Sequence, residues 1–115
     1  MKYDLEERLV IFSKNIISFL KKIKLDVINS SIINQLVRST TSVGANYSEA
    51  NQACSKNDFK SKIYICKKEI NETKYWLQIL LSTDNSLKDE IDRFMQESKE
   101  LLLIFSKITK TLNGN

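Results

Sequence analysis

The chain has no histidine and no proline, and only two glycines and two cysteines among its 115 residues. Without histidine it lacks the commonest general base at neutral pH and the commonest metal ligand. A di-iron bundle, which takes Glu-x-x-His motifs from facing helices, is disfavoured on that ground. With no proline, and glycine only at positions 44 and 114, there are too few turn residues for a β-rich or βαβ chain. Cys54 and Cys66 stand twelve positions apart with no CxxC motif, which suits neither a zinc site nor a disulfide framework. A reducing, cytoplasmic setting is expected. No run approaches the ~18 uninterrupted apolar residues of a membrane span, and MKYDLEERLV does not have the form of a signal peptide. No membrane partner is expected. A glycine-rich phosphate loop is also missing.

What is present reads as helix. Lys, Leu, Ile, Glu, Ser and Asn dominate, and the length suits one domain spanning residues 1–115. Apolar residues recur at helical spacing in four segments. The first covers about residues 4–24 through Leu9, Phe12, Ile16, Phe19 and Ile23. Capping candidates at Asp26, Asn29 and Ser30 open a second over roughly 29–53, with Ile33, Leu36, Val37, Val43 and Tyr47. Ser55 with Asp58 begins a third over roughly 57–82. Its seam of Phe59, Ile63, Cys66, Ile70, Thr73, Leu77 and Leu80 alternates steps of four and three, as in a coiled coil. Ser86 with Asp89 opens a fourth, carrying Leu87, Ile91, Phe94, Ser98, Leu101, Phe105, Ile108 and Leu112. Short connections between long helices predict an all-α, antiparallel up-down-up-down four-helix bundle.

One stripe on the second helix is polar. Arg38, Ser42, Asn46 and Glu49 share a face, and Glu69 and Glu72 sit beside the seam of the third helix. An arginine opposite such glutamates predicts an internal polar network that fixes helix register, because buried ions need partners. Gly44 in mid-helix suggests a backbone closely approached by another helix or subunit.

Three strings carry a family resemblance: SVGANYSEA at Ser42–Ala50, SKNDF at Ser55–Phe59 and KKEINETKYWL at Lys67–Leu77. They resemble the bacterial "four helix bundle protein" family, which is similar to proteins encoded within intervening sequences of bacterial 23S ribosomal RNA. A more distant similarity is to the accessory proteins of diversity-generating retroelements. The resemblance rests on the second and third helices, with Asn46, Tyr47, Ser55, Asp58, Phe59, Lys68, Glu69, Glu72, Thr73, Tyr75, Trp76 and Leu77 at motif positions. Ser48 and Asn51 depart from it, standing where a basic and a small residue are more usual. It implies a bundle that assembles into a ring, often a homopentamer, with no established enzymatic activity and an association with RNA.

Lysine placement bears on that expectation. The formal net charge is +4. Lys21, Lys22 and Lys24 cluster at the end of the first helix, while Lys60, Lys67 and Lys74 repeat every seven residues along the third. Such rows contact phosphates without reading bases. Tyr75 and Trp76, beside the seam, suit an interface between subunits. The expected protein is a non-enzymatic, ring-forming bundle that needs no cofactor and binds RNA, DNA or a nucleic-acid-processing protein. Two alternatives stand beside it. One is an all-α, magnesium-dependent nucleotide pyrophosphohydrolase with Glu69, Glu72, Asp89 and Asp92 on one pocket. The other is a purely structural oligomeric scaffold.

Overall fold

A computed structural model describes residues 4–114. Residues 1–3 and 115, which belong to the expected domain and, at the N-terminus, to the MKYDLEERLV segment, lie outside the described residues. Four helices follow in order: α1 (Leu5–Leu20), α2 (Val27–Ala50), α3 (Lys56–Thr83) and α4 (Lys88–Leu112), with a single 3-10 turn at Asn85–Leu87 before the last. They form the up-down-up-down bundle that the four apolar stripes predict.

The helix starts follow from side chains that satisfy free amides. Asp4 accepts from the Glu7 amide at 2.8 Å. Asp26 and Asn29 form a reciprocal capping box at the head of α2. Ser55 Oγ accepts from the Asp58 amide at 3.0 Å. The start of α4 differs from the sequence expectation. Asp84, not Ser86, is the acceptor, taking the Ser86 amide at 3.0 Å and organising the 3-10 turn. Helix α1 also stops at Leu20 rather than near residue 24. The Lys22 and Ile23 amides bond back three residues, to the Phe19 and Leu20 carbonyls, and the chain then turns into the Asp26 cap.

Residues of all four stripes meet in one core. Leu9, Phe12 and Ile16 of α1, Leu36 and Val43 of α2, Ile63, Ile70 and Leu77 of α3, and Ile91, Leu101 and Phe105 of α4 are buried. At roughly 25 cal/mol per Å2 of apolar surface removed from water, this burial dominates the favourable side of folding. Small hydroxyls fill the seam between α2 and α3, where the Thr73 hydroxyl lies 3.0 Å from Ser39 Oγ and 2.9 Å from the Glu69 carbonyl oxygen.

Helix α2 packs most extensively on α3, while of the neighbouring helices α1 and α4 touch each other least. Between these two lies a groove of about 690 Å3. Phe19 and Phe94 meet across it with ring centroids 5.3 Å apart. Arg8 pins it, donating to Glu97 at 2.7 and 2.8 Å and to Glu100 at 3.1 Å. Gly44 faces α1, but a Cβ built there would lie 3.7 Å from Leu9 Cβ, an ordinary contact. The backbone approach suggested by that glycine is therefore not one that excludes a side chain.

Candidate nucleic-acid interface and the polar brace behind it

The polar stripe of α2 faces α3. Arg38 Nη1 donates to Glu69 Oε2 at 3.1 Å, and Arg38 Nη2 to Glu72 Oε1. Ser42 Oγ donates to Glu69 Oε2 at 2.9 Å, and Asn46 Nδ2 donates to the Ser42 carbonyl and hydroxyl oxygens at 2.9 and 3.0 Å. The Trp76 indole N–H reaches Glu72 Oε1 at 3.3 Å. The cluster is a brace between two helices, internal only at its Glu69 end. The Glu69 side chain is 8% exposed, whereas that of Arg38 is 45% exposed.

Electrostatics follow this gradient. Burial pushes the Glu72 carboxyl up, but the Trp76 donor, the Arg38 donor and the Arg38 charge together hold it below its ordinary value. Burial likewise disfavours the Arg38 cation, and its two carboxylate partners more than offset this, so its proton is held more tightly than usual.

Glu49 does not join the brace. It lies a further helical step along α2, faces solvent and pairs with Lys62 at 3.0 Å. Its placement corrects the sequence expectation: three residues beyond Asn46, the helix has rotated the side chain to the rim.

The four acids of the hydrolase alternative are also dispersed. Glu69 and Glu72 are held by Arg38, Asp92 pairs with Lys88 at 2.6 Å, and Asp89 is exposed in the first turn of α4. Among the described residues, no three His, Cys, Asp or Glu side chains come together as a metal site. The convergence which that reading needs is not there. Cys66 is fully buried, and burial pushes its thiol up to about 12. Cys54 is exposed, and both cysteines are free.

The lysine candidates fall in two places. Lys21, Lys22 and Lys24 are exposed where α1 gives way to α2. There Lys22 and Lys24 share a cleft with Asp26, Asp84 and Glu90, so the cluster does not make a purely basic patch. Lys60, Lys67 and Lys74 run along the edge of α3 toward α4, and Lys67 Nζ reaches Thr109 Oγ1 at 3.3 Å. Among the described residues no carboxylate comes within 4 Å of these three ammonium groups.

Trp76 packs half-buried against the chain's own core, and Tyr75 meets it edge-on with centroids 5.0 Å apart. Of the pair expected at a subunit interface, Tyr75 alone stands in solvent, 52% exposed. The larger exposed apolar residues lie elsewhere. Leu25, Val27 and Ile28 at the α1–α2 turn are 62, 91 and 70% exposed, and Val10 and Ile17 follow on α1. The Arg8–Glu97 pair and the groove beside it were not found by sequence reasoning. Their partners are 89 positions apart and carry no local signal.

The family model for 23S rRNA-intervening sequence proteins matches residues 2–107. Among solved structures, the chain is similar to a protein of unknown function from the S23 ribosomal protein family of Bacteroides thetaiotaomicron VPI-5482. The two share 32% identity over 91% of this chain and 94% of that one, with a TM-score of 0.79. No curated protein matches.

Proposed function

Because the chain belongs to the 23S rRNA-intervening sequence protein family, we propose that it is a non-enzymatic, self-associating bundle that binds the backbone of RNA or DNA. One observation carries the reading: the row Lys60, Lys67, Lys74 runs along one edge of α3 with no carboxylate paired to it among the described residues. At 1.5 Å per residue the row extends about 21 Å, long enough to follow several phosphates of one strand. Lysines placed this way attract polyanions without reading bases, so binding is salt-sensitive and nearly independent of sequence.

Self-association into a ring, a pentamer on the family resemblance, multiplies the same row around an axis and strengthens the local positive field. Support for a contact surface comes from Val10, Ile17, Leu25, Val27 and Ile28, apolar side chains left in solvent along α1 and the turn into α2. Trp76 packs half-buried within its own chain, whereas Tyr75 stands in solvent beside it. The two free cysteines fit a cytoplasmic setting, and no described helix is long and apolar enough to cross a membrane.

The test is a titration of labelled mixed-sequence RNA at low and moderate salt, with the protein's mass read by light scattering. The proposal expects a mass several times that of the monomer and an affinity that drops steeply as salt rises. No binding at low salt contradicts it.

A further inference from the structure

Half a turn away from its buried seam, α3 carries a second regular row. Tyr64, Lys68, Asn71, Tyr75 and Gln78 follow one another by steps of four, three, four and three, which stacks them on one side of the helix. All five are exposed. The lysine row at 60, 67 and 74 borders it on the side of α4. None of the helix's acids shares this face: Glu69 and Glu72 are turned to Arg38 on α2, and Asp58 lies in the first turn. A helix face with only solvation to perform typically mixes charges of both signs. This one is basic, amide-bearing and aromatic.

Both rings are steadied from within the chain. The Tyr64 hydroxyl accepts from Asn113 Nδ2 at 3.2 Å, and Lys67 Nζ lies 5.3 Å from the Tyr64 ring centroid. Tyr75 rests edge-on against Trp76, which is itself fastened to Glu72. Rings already restrained lose less conformational entropy when a base stacks on them.

We propose that this face binds single-stranded nucleic acid, with bases stacked on Tyr64 and Tyr75 and phosphates on Lys60, Lys67, Lys68 and Lys74. The inference rests on the nucleic-acid reading above and adds the class of ligand. Aromatic side chains on an open helix face reach the flat side of a base only where the base is unpaired. Eleven residues separate the two tyrosines, about 16 Å along the axis. With a rise of about 3.4 Å per nucleotide, that distance spans about five nucleotides. Asn71 lies between the rings and Gln78 just beyond Tyr75, so hydrogen-bonding amides are available without an opposing charge.

The experiment uses the full chain and fluorescein-labelled oligouridine, compared by anisotropy with a duplex RNA of equal length at low salt. The proposal expects the wild type to favour the single strand by about tenfold. Tyr64→Ala and Tyr75→Ala each lower single-strand affinity by about fivefold or more while duplex affinity holds. The Tyr64→Phe/Tyr75→Phe variant keeps the single-strand affinity, and Trp76 fluorescence changes on adding oligouridine. Binding to neither RNA overturns this inference and the underlying reading together. Binding to both with no effect of the alanine variants, or with equal losses on both RNAs, overturns the stacking and leaves the lysine reading in place.

Discussion

Arg38 of α2 donates to Glu69 of α3 at 3.1 Å, joining an arginine that is nearly half in solvent to a carboxylate that is almost wholly out of it. The asymmetry decides what each member contributes. Glu69 needs the cation, because an unpaired buried carboxylate costs several kcal/mol. Arg38 needs Glu69 far less.

Replacing Arg38 with methionine is therefore expected to destabilise the protein by about 2 kcal/mol, between the values for exposed and buried pairs. Arg38→Met combined with Glu69→Gln recovers about half of that loss, since no buried charge is then left unpaired. Urea unfolding of the single and double variants checks this. Equal stability of the two disproves it.

The same brace makes stability depend on acidity. The Glu72 carboxyl sits below its ordinary value of 4.5 in the folded protein. Its contribution is complete above that value and is lost as pH falls through the lower folded one. The thermal midpoint is expected to fall as pH drops below about 4.5, and Arg38→Met flattens that part of the profile. An unchanged profile in the variant contradicts the role given to Glu72.

Gly44 leaves room for a methyl group against Leu9. Gly44→Ala is expected to stabilise α2 by about 0.5–1 kcal/mol, since glycine is the costlier residue in a helix interior. A lower unfolding midpoint shows instead that the α1 contact at Leu9 does not accommodate the methyl group, and a change of assembly state shows that another subunit approaches there.

The thiols should differ in reactivity. Cys54 is exposed and Cys66 is buried with its thiol pushed up to about 12. An aromatic disulfide reagent is expected to label Cys54 alone in the native protein and both residues in denaturant. Prompt labelling of Cys66 would place it outside the core.

The four seams made the bundle legible before any coordinates, because Ile63, Cys66, Ile70, Thr73, Leu77 and Leu80 repeat at a spacing that has one physical meaning. The Arg38 pairing was legible too, since a shared helix face limits what an arginine can reach. Glu49 was not. One more helical step carries a side chain from the contact to the rim, and sequence periodicity does not fix where a contact ends. The groove between α1 and α4 was invisible for another reason: it depends on how far two sequence-distant helices stand apart. The outer row of α3 was present in the sequence at the same seven-residue period as the seam. It gains meaning once Tyr64 and Tyr75 prove to be in solvent and the acids prove to be turned away.

The most direct test neutralises one lysine group at a time and reads the salt slope of RNA binding. Lys60→Gln/Lys67→Gln/Lys74→Gln is expected to reduce the slope of log affinity against log salt by about 2, at about 0.7 per phosphate contact on a single strand. Lys21→Gln/Lys22→Gln/Lys24→Gln, in which Lys22 and Lys24 share a cleft with Asp26, Asp84 and Glu90, is expected to change it much less. Equal slopes for the α3 variant and the wild type would contradict the account.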